Sequence, residues 1–256
     1  MDARDLFIKG DRYLKPVEEE SWPYVAQVNA SVPATGGPPA GEYSFRLNWD
    51  TSELVTQYLT FRNPARVSSL VAVLRDARAA TGRSEETGVL QPGQEARAGN
   101  WLGTLGYMVM IEHIGKIFRP HAAAQEQRNF RGALANFAPH LKAEERNALY
   151  ALRCCFAHDY SLVNHPDGRR ELRHRFDLYA DEQTPLVDLP PEPWNGFLRS
   201  PQPRTKVNLR KFGDLAEEVF SVVVQKAQRG ELELIPSGGV NDLRLRYTLF
   251  IRPESE

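Results

Sequence analysis

The sequence predicts a mainly α to α+β fold, in which a helical bundle is decorated with antiparallel β-hairpins. Several segments repeat apolar residues at helical spacing, and residues 100–119 are apolar on nearly all sides, which is typical of a helix at the centre of a bundle. Other segments alternate apolar and polar residues beside Pro/Gly-rich turns, as half-buried strands do. A chain of 256 residues, 41% of them hydrophobic, can bury one sizeable core, so we expect a single domain over residues 1–256.

Composition and charge limit the class of protein. The formal net charge of −1 gives the whole molecule no strong attraction for nucleic acid, so any basic surface must be local. The most apolar segment contains Glu112 and Lys116, which argues against a membrane span, and the charged N-terminus has no apolar signal segment. The two cysteines, Cys154 and Cys155, are adjacent, which rarely suits a disulfide, so we expect reduced thiols in a cytoplasmic protein.

The N-terminal half is predicted to contain one hairpin followed by helices. Residues 24–49 form the hairpin, because polarity alternates from Tyr43 to Trp49 after the Pro/Gly-rich segment 31–41. Residues 50–160 form the helical bundle. Its helices are expected at about 51–59, 64–80, 100–119, 123–137 and 142–157, with an exposed loop at 82–99.

The C-terminal half is predicted to combine two hairpins with one long helix. A hairpin over 160–180 turns at a Pro-Asp-Gly sequence, which is typical of a tight turn. Residues 181–206 contain six prolines and are expected to form a surface loop. Residues 207–256 are expected to form an amphipathic helix to about residue 229, and then a hairpin that pairs 232–234 with the alternating segment 243–249.

The helix predicted over 142–157 carries the main candidate for chemistry. Arg153 and His158 lie five positions apart at its end. On a straight helix their side chains would point about 140° apart and be separated by about 7.5 Å along the axis. One continuous helix therefore cannot aim both at one atom, so either the helix ends before His158 or a second copy of the chain completes the site.

An arginine and a histidine brought together can cleave a phosphodiester without a metal. The guanidinium binds phosphate through paired donors, and the imidazole transfers a proton near neutral pH. Ordinary structural roles are the alternative: Arg153 would pair with an acidic neighbour, and His158 would cap the helix C-terminus.

The segment 153–160, with the sequence RCCFAHDY, resembles the R-x4-H-x-Y motif of the HEPN superfamily, the higher eukaryotes and prokaryotes nucleotide-binding domains. The resemblance covers about residues 100–165. It implies an all-helical bundle, often dimeric, that acts as a metal-independent endoribonuclease with the two motifs meeting across the dimer. It makes Arg153 and His158 the catalytic residues, with no cofactor and no metal, and Tyr160 the residue that a nucleotidyltransferase-type antitoxin could modify with AMP. The position after the arginine is commonly polar in the family and is Cys154 here.

Two further groups of residues are candidates for the site. Glu112 and Lys116 lie one helical turn apart, and they either form a simple surface ion pair or line the same pocket as the motif. The densest basic cluster follows the motif on the predicted hairpin, where it either holds an RNA backbone beside the site or forms a solvated strand face. It consists of Arg169, Arg170, Arg173 and Arg175.

These observations predict a cytoplasmic, homodimeric ribonuclease of the HEPN type that acts on RNA, as a toxin or defence protein. The alternative is a non-catalytic HEPN-like module that binds a nucleotide, an RNA or a protein partner, which the cysteine at position 154 favours. The sequence contains no GxxxxGK[ST] or GxGxxG phosphate loop, no HExxH or paired CxxC metal motif and no GxSxG nucleophile motif.

Overall fold

The computed structural model describes residues 59, 66–121, 129–196, 203–236, 239, 242 and 249–251. Over these residues the protein is a mixed α/β structure. Its helices are α1 (Ser69–Ala80), α2 (Trp101–Ile117), α3 (Phe130–Phe137), α4 (Ala143–His158) and α5 (Leu209–Gln228). No helix among these residues is long and apolar enough to cross a membrane.

Among the described residues, short strands between the helices form three small sheets. The strands are β1 (Arg66–Ser68), β2 (Phe118–Pro120), β3 (Val163–Asn164), β4 (His174–Tyr179), β5 (Val187–Asp188), β6 (Thr205–Asn208), β7 (Leu232–Leu234) and β8 (Leu249–Ile251). Strand β1 pairs with β8 and β2 pairs with β7, both antiparallel. The third sheet has the order β3-β4-β6-β5, and its central pair β4 and β6 is parallel.

Helix α2 lies at the centre of the helical core, as its apolar sequence predicts. It packs against α1, α3, α4 and α5. The side chains of Tyr107, Met108 and Ile114 on α2 are fully buried. Close packing against α1 requires glycine at position 103, because a Cβ atom there would lie 2.6 Å from the Cγ2 atom of Thr81. The most apolar helix of the sequence therefore organises the bundle that carries the motif helix.

The predicted helices from residue 64 onward are present among the described residues, but two of them begin later than expected. Helix α1 begins at Ser69 rather than at residue 64, since 66–68 first pair with β8 and the Ser68 hydroxyl accepts the N–H of Val71 at 3.1 Å. Helix α5 begins at Leu209 rather than at 207, because its first predicted residues belong to β6. In both cases the preceding strand is defined by a partner distant in sequence.

Two predicted loops contribute to the folded core. The segment 181–206 is not only a surface loop, because it contains β5 and the first half of β6 and buries Trp194. The segment 82–99 is anchored by Arg83, whose guanidinium is buried and pairs with Asp214 of α5 at 2.7 Å. Local composition predicted exposure in both segments, whereas distant partners bury part of each.

One predicted hairpin is confirmed, and another falls partly outside the described residues. The hairpin over 160–180 is confirmed, since β3 and β4 are antiparallel neighbours. The C-terminal hairpin is tested only in part: 232–234 pair with β2 and Leu249 pairs with Ser68 of β1, whereas residues 243–248 of its expected second strand lie outside the described residues. The expected hairpin at 24–49, most of the helix at 51–59 and the start of the helix at 123–137 lie outside the described residues.

Candidate active site

Helix α4 presents the motif as one unbroken helix. Its start is favoured by Glu144 and Glu145 in the first turn, and the Glu145 carboxylate accepts the backbone N–H of Lys142 at 2.7 Å. The helix continues through His158 and ends where Asp159 N–H donates to the carbonyl of Cys155 at 3.1 Å. The helix therefore does not end before His158, which was one of the two alternatives that the motif left open.

Arg153 is held at the α2 side of α4. Its guanidinium forms an ion pair with the carboxylate of Glu112 on α2. The same carboxylate pairs with Lys116 at 2.7 Å, one turn further along α2. The Arg153 and Glu112 side chains are 22% and 14% exposed. The predicted pocket pair is thus brought to the motif arginine, and three charged groups share one partly open position with a net positive charge.

His158 lies on a different side of α4. It is the last residue of the helix and is exposed. Because α4 is continuous between positions 153 and 158, the two side chains leave the helix about 140° apart. One copy of the chain does not bring them to one point from α4 alone, so a site that uses both needs a second copy.

Tyr160 ends the motif in a left-handed backbone conformation, with φ of 49°. Its ring packs against Trp101 and Phe156 at centroid distances of 5.4 and 5.8 Å, while 49% of the residue remains exposed. These contacts place the C-terminal end of α4 beside the N-terminal end of α2. Because Arg153 contacts Glu112 much further along α2, the two helices run antiparallel.

A second arginine near the motif helix was missed by the sequence analysis. Arg131 of α3 places its guanidinium 4.9 Å from the ring centroid of Tyr150 and donates to the side-chain oxygen of Asn147 at 3.2 Å. Burial and the neighbouring Cys154 raise the pKa of the Tyr150 hydroxyl. No motif pointed to Arg131, because the contact depends on how α3 crosses α4.

The remaining titratable groups near the site are affected mainly by burial. Burial, assisted by the Lys116 ammonium, lowers the pKa of His113, and Glu112 opposes the shift. Burial raises the pKa of the Cys155 thiol to about 12, so this cysteine stays protonated and is a poor nucleophile at neutral pH.

The predicted RNA-binding arginines differ from one another in exposure and in position. Arg169 and Arg170 are exposed, whereas Arg173 and Arg175 are partly buried. The segment that carries Arg170 and Arg173 faces the N-terminal half of α4 across a cavity of about 720 Å³. The cluster is therefore divided, because Arg169 and Arg175 are not among the residues that line this cavity.

Comparisons of the chain with protein-family models, with curated proteins and with solved structures found no match. The relationship to the HEPN superfamily therefore remains a resemblance of one motif and its helix. In the part of the chain that the structure describes, no three histidine, cysteine or acidic side chains come together in a group that could hold a metal ion.

Proposed function

We propose that the protein is a metal-independent endoribonuclease of the HEPN type that is active as a homodimer. The observation that carries this proposal is that the two motif side chains lie on different sides of α4. Arg153 is oriented by Glu112 at a solvent-accessible edge, and His158 is exposed at the end of the same helix, about 140° away. Two groups arranged in this way serve one scissile phosphate when each comes from a different copy.

The outer face of α2 supports dimerisation next to the motif. Leu102 and Val109 are 67% and 38% exposed, although both are large and apolar. On the helical wheel they share an arc of about 80° with Glu112 and Lys116. An apolar surface that continues into a charged cluster is typical of an interface with a polar edge.

Two copies packed on this face would bring opposite ends of the motif helices together. We place the two-fold axis near Val109 and perpendicular to α2, so that the two copies of α2 are antiparallel. The N-terminal end of α2 in one copy then meets the C-terminal end of α2 in the other. Tyr160 packs on Trp101, so the C-terminal end of α4 lies beside the N-terminal end of α2 in each copy. The C-terminal end of α4 in the partner, which carries the partner's His158, then approaches the ion pair of Arg153 and Glu112 in the first copy.

A composite site of this kind can perform RNA cleavage by transesterification. One imidazole removes the proton of the ribose 2′-hydroxyl, and the 2′-oxygen attacks the adjacent phosphorus. The bond from phosphorus to the 5′-oxygen breaks, and a water molecule passes the proton from the imidazolium to that oxygen. The Arg153 guanidinium stabilises the charge that develops on the phosphoryl oxygens. The products are a 2′,3′-cyclic phosphate and a 5′-hydroxyl end.

The direct test is cleavage of a mixed-sequence RNA in EDTA by the full chain, Arg153→Ala and His158→Ala. We expect each substitution to reduce the rate by about 10²-fold or more. Arg229→Ala is the matched control, because it also removes an arginine, 67% exposed and just beyond the end of α5, and is expected to retain the rate. Equal rates for the parent and both motif variants would overturn the proposal.

A role in a toxin and antitoxin pair is part of the same proposal. The exposed part of Tyr160 gives a nucleotidyltransferase-type partner access to the residue. Modification would join the tyrosine oxygen to the α-phosphorus of ATP and release pyrophosphate. An AMP group there would add bulk and negative charge at the end of α4, next to His158, and is expected to stop cleavage.

One observation favours the alternative of a non-catalytic binding module. Arg153 already has a structural partner in Glu112, which is the role that an arginine without catalytic function would have. Thermal unfolding distinguishes the two functions. If Arg153→Ala and His158→Ala both melt several degrees below the parent and the parent cuts no RNA, the motif residues are structural.

A further inference from the structure

The cavity beside α4 has the properties of a small-molecule site. Its volume of about 720 Å³ lies within the usual range for ligand pockets. Part of its wall is apolar, formed by Leu189, Pro190, Pro193 and Trp194. Trp194 is only 4% exposed, so its position is fixed by the packing around it.

The floor of the cavity is held by hydrogen bonds at His174. Its Nε2 atom lies 3.3 Å from the carbonyl oxygen of Glu171, and its Nδ1 atom lies 2.9 Å from the hydroxyl of Thr205. Because a carbonyl can only accept, Nε2 carries the proton and Nδ1 accepts from the hydroxyl. The ring also stacks on Phe176 at 5.4 Å. These contacts fix the orientation of His174, so this part of the cavity is ordered without a ligand.

Two arginines supply positive charge to the cavity. Arg170 and Arg173 both line it. The Nε–H of Arg173 donates to the carbonyl of Pro166 at 3.4 Å, which orients the guanidinium without using its terminal nitrogens. Among the described residues neither arginine forms an ion pair with a carboxylate, so both are available to bind a phosphate.

Two carboxylates lie in the same cavity and restrict the ligand further. Glu144 and Glu171 line it, and neither forms an ion pair with a described residue. An ionised carboxylate only accepts hydrogen bonds. Guanine presents two neighbouring donors on one edge, its N1–H and its 2-amino group, which fit one carboxylate. Adenine and cytosine place an acceptor beside their amino donor, so the same carboxylate suits them poorly.

We propose that this cavity binds a guanine nucleotide. Arg170 and Arg173 hold its phosphate, the apolar wall around Trp194 contacts the base, and Glu144 or Glu171 accepts the donors of the guanine edge. The assignment of the ligand as one unit of an RNA strand rests on the proposed function. The chemistry of the cavity itself does not depend on cleavage.

The position of the cavity suits a subsite of the proposed nuclease. Asn147 lines it and leaves α4 on the same side as His158, within about 20° on the helical wheel. The two residues are separated by roughly 16 Å along the helix axis. A strand bound at the cavity can therefore reach the end of α4 within a few nucleotides, and a guanine held there would set the position of cleavage.

Titration calorimetry on the full chain with 5′-GMP, 5′-AMP and guanosine tests the inference. We expect 5′-GMP to bind about tenfold or more tightly than 5′-AMP, because a site that pairs with donors rejects a ligand that lacks them. Arg170→Ala and Arg173→Ala are expected to weaken 5′-GMP roughly tenfold and to leave guanosine within about twofold. Glu144→Gln or Glu171→Gln is expected to remove the preference for 5′-GMP.

Arg169→Ala is the control, because Arg169 carries the same charge on the same hairpin but does not line the cavity. No saturable binding of 5′-GMP at millimolar concentration, or an equal loss with Arg169→Ala, would overturn the inference. Arg153→Ala and His158→Ala are expected to bind 5′-GMP as the parent does. Binding without RNA cleavage would refute the proposed function alone, and cleavage without binding would refute the cavity assignment alone.

Discussion

The carboxylate of Glu112 on α2 forms an ion pair with the motif arginine, Arg153 on α4. The same carboxylate also pairs with Lys116 at 2.7 Å. With two cations on one anion, the cluster keeps a net positive charge at a partly exposed position, which suits a phosphate as a further ligand. Glu112 therefore acts in our proposal as a positioning residue that fixes the direction of the Arg153 guanidinium.

Removing the charge of Glu112 is expected to impair cleavage more than folding. In Glu112→Gln the side chain keeps its shape, but Arg153 loses the ion pair that orients it. We expect kcat for RNA cleavage to fall about tenfold, with a smaller change in KM. Glu182→Gln is the matched control, since Glu182 forms an exposed ion pair with Arg210 at 3.1 Å that does not involve Arg153. Unchanged kcat in Glu112→Gln would remove the positioning role.

Breaking the dimer face of α2 is expected to abolish cleavage without unfolding the protein. Val109→Glu and Leu102→Lys place like charges against each other in this interface, the first near the two-fold axis and the second opposite the partner's Lys116, so we expect monomers in sedimentation experiments and loss of RNA cleavage. Val89→Glu is the control, because Val89 is also apolar and 65% exposed but lies outside α2. A monomeric parent, or dimeric and active α2 variants, would contradict this assignment of the interface.

The buried pair between Arg78 and Glu217 is expected to dominate the stability of the segment 82–99. Arg78 is 4% exposed and donates to both oxygens of Glu217, at 2.9 and 2.6 Å, and to the carbonyl of Glu85 at 2.6 Å. The Tyr107 hydroxyl also donates to Glu217 at 2.7 Å. Glu217→Ala would leave a buried arginine without its partner, and we expect it to cost about 3–5 kcal/mol. Urea unfolding measures this loss, and a change below about 1 kcal/mol, as for an exposed pair, would contradict it.

Stability is expected to fall when the pH is lowered below about 6.5. Burial lowers the pKa of His113 and of His174 from the ordinary value of 6.5. The unfolded chain therefore takes up protons at a higher pH than the folded protein does, so lowering the pH through this range favours unfolding. Below the folded pKa values both states are protonated and the loss is complete. Urea unfolding between pH 5 and pH 8 tests this, and His174→Asn is expected to reduce the dependence. A flat profile would contradict it.

Local sequence patterns predicted the motif helix well, because its signals are local. Leu149, Leu152 and Phe156 follow helical spacing, and all three are buried on α4. The hairpin after it was predictable for the same reason, since its turn residues and alternating strands are close in sequence.

The parts that sequence patterns did not predict depend on distant partners. The short strand β1 exists because it pairs with β8, more than 180 residues away along the chain. Arg83 lies in a segment whose composition predicts an exposed loop, yet its side chain is buried and forms an ion pair with Asp214 on α5. The contact between Arg153 and Glu112 likewise depends on how α4 crosses α2, which no local pattern fixes.

Mixing two inactive variants tests most directly whether the two motif residues act from different copies. Arg153→Ala and His158→Ala are each purified, combined, dissociated in mild denaturant and allowed to reassociate, and RNA cleavage in EDTA is then measured. A mixed dimer keeps one arginine and one histidine, so we predict that the mixture recovers cleavage that neither variant has alone. If mixed dimers form and the mixture stays as inactive as its two components, the composite site is contradicted.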